Sequence, residues 1–146
     1  MSQQQRNEAI IHEGEGVNNS NLGTVSGLEC KPWVQKIVYA ASKNAVWIPA
    51  TSPNDYQWQI VPGDNVIQVT PTTGPIDPLS LQPGWILQLQ RTNNAGPHTA
   101  IVVMATSSGI VLLDSNYIAT NTVGMHLMSW ASFNKAFLRY TAYQIQ

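Results

Sequence analysis

Residues 99–104, Thr-Ala-Ile-Val-Val-Met, make a nearly unbroken apolar run. Strict alternation would mark a strand wetted on one face. A short continuous run marks a strand buried on both faces, inside a sheet that is covered on either side. Its neighbours read as the rest of that sheet. Trp85-Ile86-Leu87-Gln88-Leu89-Gln90 alternates after the turn pair Pro83-Gly84. Ile110-Val111-Leu112-Leu113 returns through Ser107-Ser108-Gly109, a three-residue hairpin loop with Gly109 at positive φ. Met125–Met128 and Phe137–Ile145 add two strands, with Ser129 or Ser132 capping a short turn of helix between them.

The first third is helical. Trp33, Val34, Ile37, Val38 and Ala41 recur at three- and four-residue steps, so the spacing predicts a helix over 31–43 with one buried face and Asn44 at its end. Pro32 suits the first turn, where its missing N–H has no partner to lose. Residues 7–13 read as a shorter helix ended by Gly14 and Gly16, followed by a polar loop from Asn18 to Gly23. Residues 49–84 carry seven of the nine prolines and form a long connection, interrupted by a strand over 65–70. Helices first and an antiparallel sheet after them predict an α+β fold, and 146 residues fit one domain, 1–146.

Charged residues are only 10% of the chain and the net charge is -1, which argues against a nucleic-acid or anionic-membrane surface. No stretch approaches the roughly 20 apolar residues of a membrane span. The N-terminus, Met1-Ser2-Gln3-Gln4-Gln5-Arg6, has no apolar run of a signal peptide. Localisation therefore stays open between the cytoplasm, an export route not written in the sequence, and a leader already removed.

The single cysteine, Cys30, stands at the predicted start of the 31–43 helix. Unpaired N–H groups and the positive end of the helix dipole there favour a thiolate, and Lys31 either adds to this or points into water. A cysteine nucleophile needs an imidazole to take its proton and a polar group to orient that imidazole. With a three-residue loop, Val102 pairs with Asp114 and Ala100 with Asn116. His98, Asp114 and Asn116 then share one face of the sheet, with Asn116 nearer to His98. His12 and His126 match no motif and read as structural or exposed. One cysteine with scattered histidines lacks metal-ligand spacing. The five tryptophans read as core or cleft wall, with Trp58 the one nearest a substrate.

Gly27-Leu28-Glu29-Cys30 opening a helix, Pro83-Gly84-Trp85-Ile86 opening a strand, Gly96-Pro97-His98-Thr99-Ala100-Ile101-Val102, and Asp114-Ser115-Asn116-Tyr117 resemble the CHAP-type and NlpC-type cysteine peptidases of the papain-like group. The resemblance covers roughly residues 20–143. It implies a papain-like fold, an N-terminal helix carrying the cysteine packed on a central antiparallel sheet. It also implies cleavage of amide bonds in bacterial cell-wall (peptidoglycan) peptides without a cofactor or metal. Cys30 would be the nucleophile, His98 the general base, Asp114 the third member and Asn116 a support for the imidazole. The backbone N–H of Cys30 would hold the oxyanion with a second donor from the Asn18–Asn21 loop, where Asn21 would also meet substrate. An antibacterial effector delivered into competitors, restrained by a cognate inhibitor protein, would reconcile a wall substrate with the absent leader. The competing readings are a papain-like amidase acting on another amide and a catalytically idle peptide-binding module of the same fold.

Overall fold

The computed structural model describes residues 1–19, 30–48, 65–69, 77–92, 96–117 and 122–146. Among them lie three helices: α1 (Gln3–Asn19), α2 (Cys30–Ala41) and α3 (Trp130–Ala136). Six strands accompany them: β1 (Val66–Gln68), β2 (Ile86–Arg91), β3 (Pro97–Thr106), β4 (Gly109–Ser115), β5 (Val123–Met128) and β6 (Phe137–Ile145). The strands form an antiparallel sheet in the order β1-β6-β2-β3-β4-β5, so the class is α+β. No described helix is long and apolar enough to cross a membrane.

Both faces of the sheet are covered. On one, Ile86, Ile101, Leu113 and Tyr143 pack against Trp33, Val34, Ile37 and Val38 of α2 and Ile10 of α1. On the other, Leu87, Leu89, Ala100, Val102 and Leu112 pack with Phe133 of α3 and Phe137. The central position of β2 buries even Gln88, which alternation alone would have wetted. The five apolar positions expected on the α2 face are all buried.

Several boundaries differ from the sequence reading. Helix α1 begins earlier and runs through Gly14 and Gly16, and it includes Asn18 and Asn19, which were expected in a loop. Packing explains why Gly14 does not stop it: a Cβ there would lie 2.7 Å from Leu113 Cδ2 and 3.4 Å from Trp33 Cη2. The missing side chain lets α1 approach the sheet closely, which outweighs the roughly 1 kcal/mol that glycine costs a helix. Helix α2 ends at Ala41 rather than 43, because Lys43 and Asn44 turn the chain with φ of 54° and 65°. Strand β1 is confined to Val66–Gln68 on the sheet edge. Before β2, the N–H of Trp85 bonds to Gln82 O at 3.2 Å and Gly84 has φ 85°, giving Pro83-Gly84 the geometry of a type II turn.

The β3–β4 hairpin carries the difference that matters most for the site. Thr106 pairs with Gly109, so the turn is the two residues Ser107 and Ser108, one fewer than expected. A bulge at Val103 then shifts the register once more, so that Ala100, not Val102, faces Asp114.

Candidate active site

Two one-residue shifts place a polar group where neither alone would. The short turn by itself would set Asp114 against Ile101, on the α2 side. The bulge returns it to the face of Ala100 and His98, two residues closer to His98 along β3 than the unbulged three-residue loop would allow. There His98 Nε2 lies 2.9 Å from Asp114 Oδ2, and both side chains are buried.

Asp114 is a hub. The same Oδ2 takes a second bond, 2.8 Å from Nε2 of His126 on β5, whose side chain is 14% exposed. Oδ1 is buried and finds no partner among the described residues. Burial alone would raise the carboxyl pKa, but the bonds from His126 and His98 and their charges hold it below the ordinary value. Tyr117 roofs this cluster, its ring 4.8 Å from that of His126 and nearly parallel, and 5.0 Å from that of His98.

Cys30 is the first residue of α2, half-buried, and its thiol is hydrogen-bonded to the His98 side chain. Burial pushes the thiol pKa up. The His98 bond, the His98 charge and bonds with the backbone of Thr99 and Lys31 outweigh that and hold it below the ordinary value. Lys31 therefore acts through its main chain, and its side chain is buried rather than in water. His98 shows the complementary behaviour. Burial alone would lower its pKa, but the bonds to Asp114 and Cys30 and their charges raise it. A lowered thiol beside a raised imidazole eases transfer of the thiol proton to the ring.

The ring nitrogens have distinct tasks. Asp114, ionised, only accepts, so Nε2 carries the proton between them. Nδ1 lies 3.2 Å from Nη2 of Arg91, and a guanidinium only donates, so Nδ1 presents its lone pair. Nδ1 is thus the nitrogen left to receive a thiol proton. Buried Gln88 fixes the backbone behind the ring: its Nε2 donates to His98 O at 3.2 Å, and its Oε1 accepts from Thr99 Oγ1 at 2.9 Å.

Of the residues singled out in the sequence, Cys30, His98 and Asp114 are brought together. Asn116 follows the last residue of β4 with φ 68°, its N–H on Thr122 O at 3.0 Å, and the imidazole is bonded to Asp114, which the sequence register had put farther away. Trp58 and Asn21 lie outside the described residues, as does all of the proposed oxyanion loop except Asn18 and Asn19 of α1. His12 is exposed, whereas His126 belongs to the cluster. His126, Arg91, Gln88 and Tyr117 escaped the sequence reading. The available signal was polar residues on β2 and β5 among otherwise strand-like segments, which become informative only once the register is known. Among the described residues no group of three or more His, Cys, Asp or Glu side chains is arranged to hold a metal ion.

No family model matches the sequence, and no curated protein matches it significantly. Among solved structures the chain resembles Ly7917, with a TM-score of 0.62 at 17% identity over 99% of this chain and 63% of that one. It also resembles Ly7917 crystallised with the hydrolyzing product of MDP, with a TM-score of 0.63 at 15% identity over the same shares. At such identity the likeness establishes the fold alone, and this chain spans 63% of the length of its neighbour.

Proposed function

We propose that this protein is a cysteine amidohydrolase of the CHAP or NlpC type with a papain-like fold, cleaving amide bonds in bacterial cell-wall peptides. The observation that carries the reading is the hydrogen-bonded chain Cys30–His98–Asp114, with the thiol pKa pushed down and the imidazole pKa pushed up. In the mechanism, Nδ1 of His98 takes the thiol proton while Asp114 holds the opposite edge of the ring and balances the imidazolium charge. The thiolate adds to the amide carbon, and the backbone N–H of Cys30 at the start of α2 stabilises the oxyanion. His98 then delivers its proton to the leaving amine, the C–N bond breaks, and water, deprotonated by His98, releases the acyl group from sulfur. These residues perform the whole sequence without a cofactor. Asn116 supports the ring at the end of β4.

The cell-wall substrate is supported by the sequence resemblance, and a hydrolase reading by the fold likeness to Ly7917, which has been crystallised with the hydrolyzing product of MDP. The same reading admits delivery as an antibacterial effector held in check by an inhibitor protein. The test is incubation of purified peptidoglycan with the protein and with Cys30→Ala, followed by mass spectrometry of soluble fragments. The wild type is expected to release peptides with new termini and the variant none. Identical fragment profiles from the two proteins would refute the reading.

A further inference from the structure

Arg91 is the group beside His98 that the proposed chemistry does not use. It shares a sheet face with His98, since Leu89 pairs with His98 and Arg91 lies two residues farther along β2. Its guanidinium carbon sits 5.3 Å over the Tyr117 ring, Nη2 rests 3.2 Å from His98 Nδ1, and Nε is buried without an acceptor. Among the described residues no carboxylate forms a salt bridge with it. Asp114, the acidic member of the cluster, already serves two histidines through one oxygen.

This arrangement is chemically incomplete. A guanidinium is always charged and offers a rigid fork of donors suited to a carboxylate. Here it rests on a neutral aromatic face and on a single imidazole lone pair. That lone pair is the one a base must keep open for the thiol proton, and once Nδ1 is protonated, two donors face each other. A group that must leave its resting partner for chemistry to proceed needs somewhere better to go, and an incoming anion supplies it.

We propose that Arg91 is the receptor for a substrate carboxylate beside the scissile amide, and that filling it draws the guanidinium off Nδ1 of His98. The substrate class is then an acidic peptide, its carboxylate being either a side chain or a chain terminus. This inference rests on the cysteine-hydrolase reading, and its test separates the two. Iodoacetate and iodoacetamide alkylate the same sulfur and differ in one carboxylate. Relative to a small-molecule thiol, Cys30 should favour iodoacetate, and Arg91→Gln should lower the iodoacetate-to-iodoacetamide rate ratio by about tenfold or more, the scale of a charge-assisted pair. Arg91→Lys, which keeps the charge without the fork, should recover part of the ratio. A folding defect would slow both reagents together and leave the ratio alone. Fast iodoacetamide labelling near pH 6 with no iodoacetate preference overturns the carboxylate receptor and spares the nucleophile, whereas slow labelling by both overturns the nucleophile itself. Protection against iodoacetamide by N-acetyl-Ala-Glu amide, by N-acetyl-Ala-Gln acid and by N-acetyl-Ala-Gln amide identifies the source. Protection by one acid but not by the amide is expected, and equal behaviour of all three refutes the proposal.

Discussion

Replacing Asp114 with Asn keeps the shape of the side chain and an oxygen for His98 and His126, but removes the charge. Oδ2 accepts from Nε2 of both histidines, at 2.9 and 2.8 Å. Hydrogen bonds to a charged group contribute about 1.5–3 kcal/mol and neutral ones about 0.5–1.5. The exchange therefore costs about 1–1.5 kcal/mol per bond, or roughly 2–3 kcal/mol in all. The loss depends on pH in a definite way. The Asp114 carboxyl is held below the ordinary carboxylate value of 3.8, so its stabilisation is present above that pH and disappears as pH falls through the folded value. His98 is raised above the ordinary imidazole value of 6.5, so its contribution is complete below that pH and fades as pH rises through the folded value. The difference between wild type and Asp114→Asn should peak between pH 3.8 and 6.5 and narrow on both sides. Urea unfolding followed by the fluorescence of the five tryptophans, repeated from pH 3 to 9, measures it, with an unchanged m-value as the control for two-state behaviour. A stability difference that stays flat across that range, or no loss at pH 5.5, would show that the aspartate charge is not what holds the cluster.

Alkylation of Cys30 by iodoacetamide should already be fast near pH 6 in the wild type, because the thiol pKa is pushed down. His126→Ala should slow it and lose about 1–3 kcal/mol of stability by taking one donor from a buried carboxylate. His126→Gln, whose amide can still donate to Oδ2, should recover most of both; equal variants would assign the role to the stacking on Tyr117 instead. Gly84→Ala should lose about 2–4 kcal/mol in urea unfolding, since left-handed strain adds to a backbone clash. Gly84 has φ 85° and its Cβ would meet Asn7 Cα at 2.6 Å, whereas Gly96, with φ 87° and nothing among the described residues within 4 Å of an added Cβ, should lose only about 1–2 kcal/mol. Equal losses at the two glycines would contradict the close approach of α1 to the Pro83-Gly84 turn.

The fold was legible wherever a single segment decides its own state. Trp33 to Ala41 shows its buried face by spacing, and Phe137–Ile145 reads as a strand at the bounds the structure gives it. What escaped were outcomes of contact between segments. Gly14 resembles a helix stop when read alone, and only the nearness of Leu113 reveals it as the residue that lets α1 settle on the sheet. Gln88 resembles a solvated position in an alternating strand, until β3 and β6 enclose it and its amide ties His98 O to Thr99 Oγ1.

The site shows the same divide more sharply. Cys30 and His98 could be named from residue type and position and Asp114 from the resemblance, but the geometry that joins them depends on whether a register sum is odd or even. A turn one residue shorter than expected would have sent Asp114 to the α2 face, and the Val103 bulge cancels that error. Nothing in the run Ile101-Val102-Val103-Met104 marks which residue bulges, because all four are apolar and each suits a strand buried on both faces. His126 and Arg91 were invisible for the same reason: each meets His98 or Asp114 across a strand pairing, and no local motif records a partner that lies one strand away. The residues of the proposed triad are thus suggested by local motifs in the sequence and the resemblance they carry. Their electrostatic tuning, set by a second histidine and an arginine, is a property of the sheet.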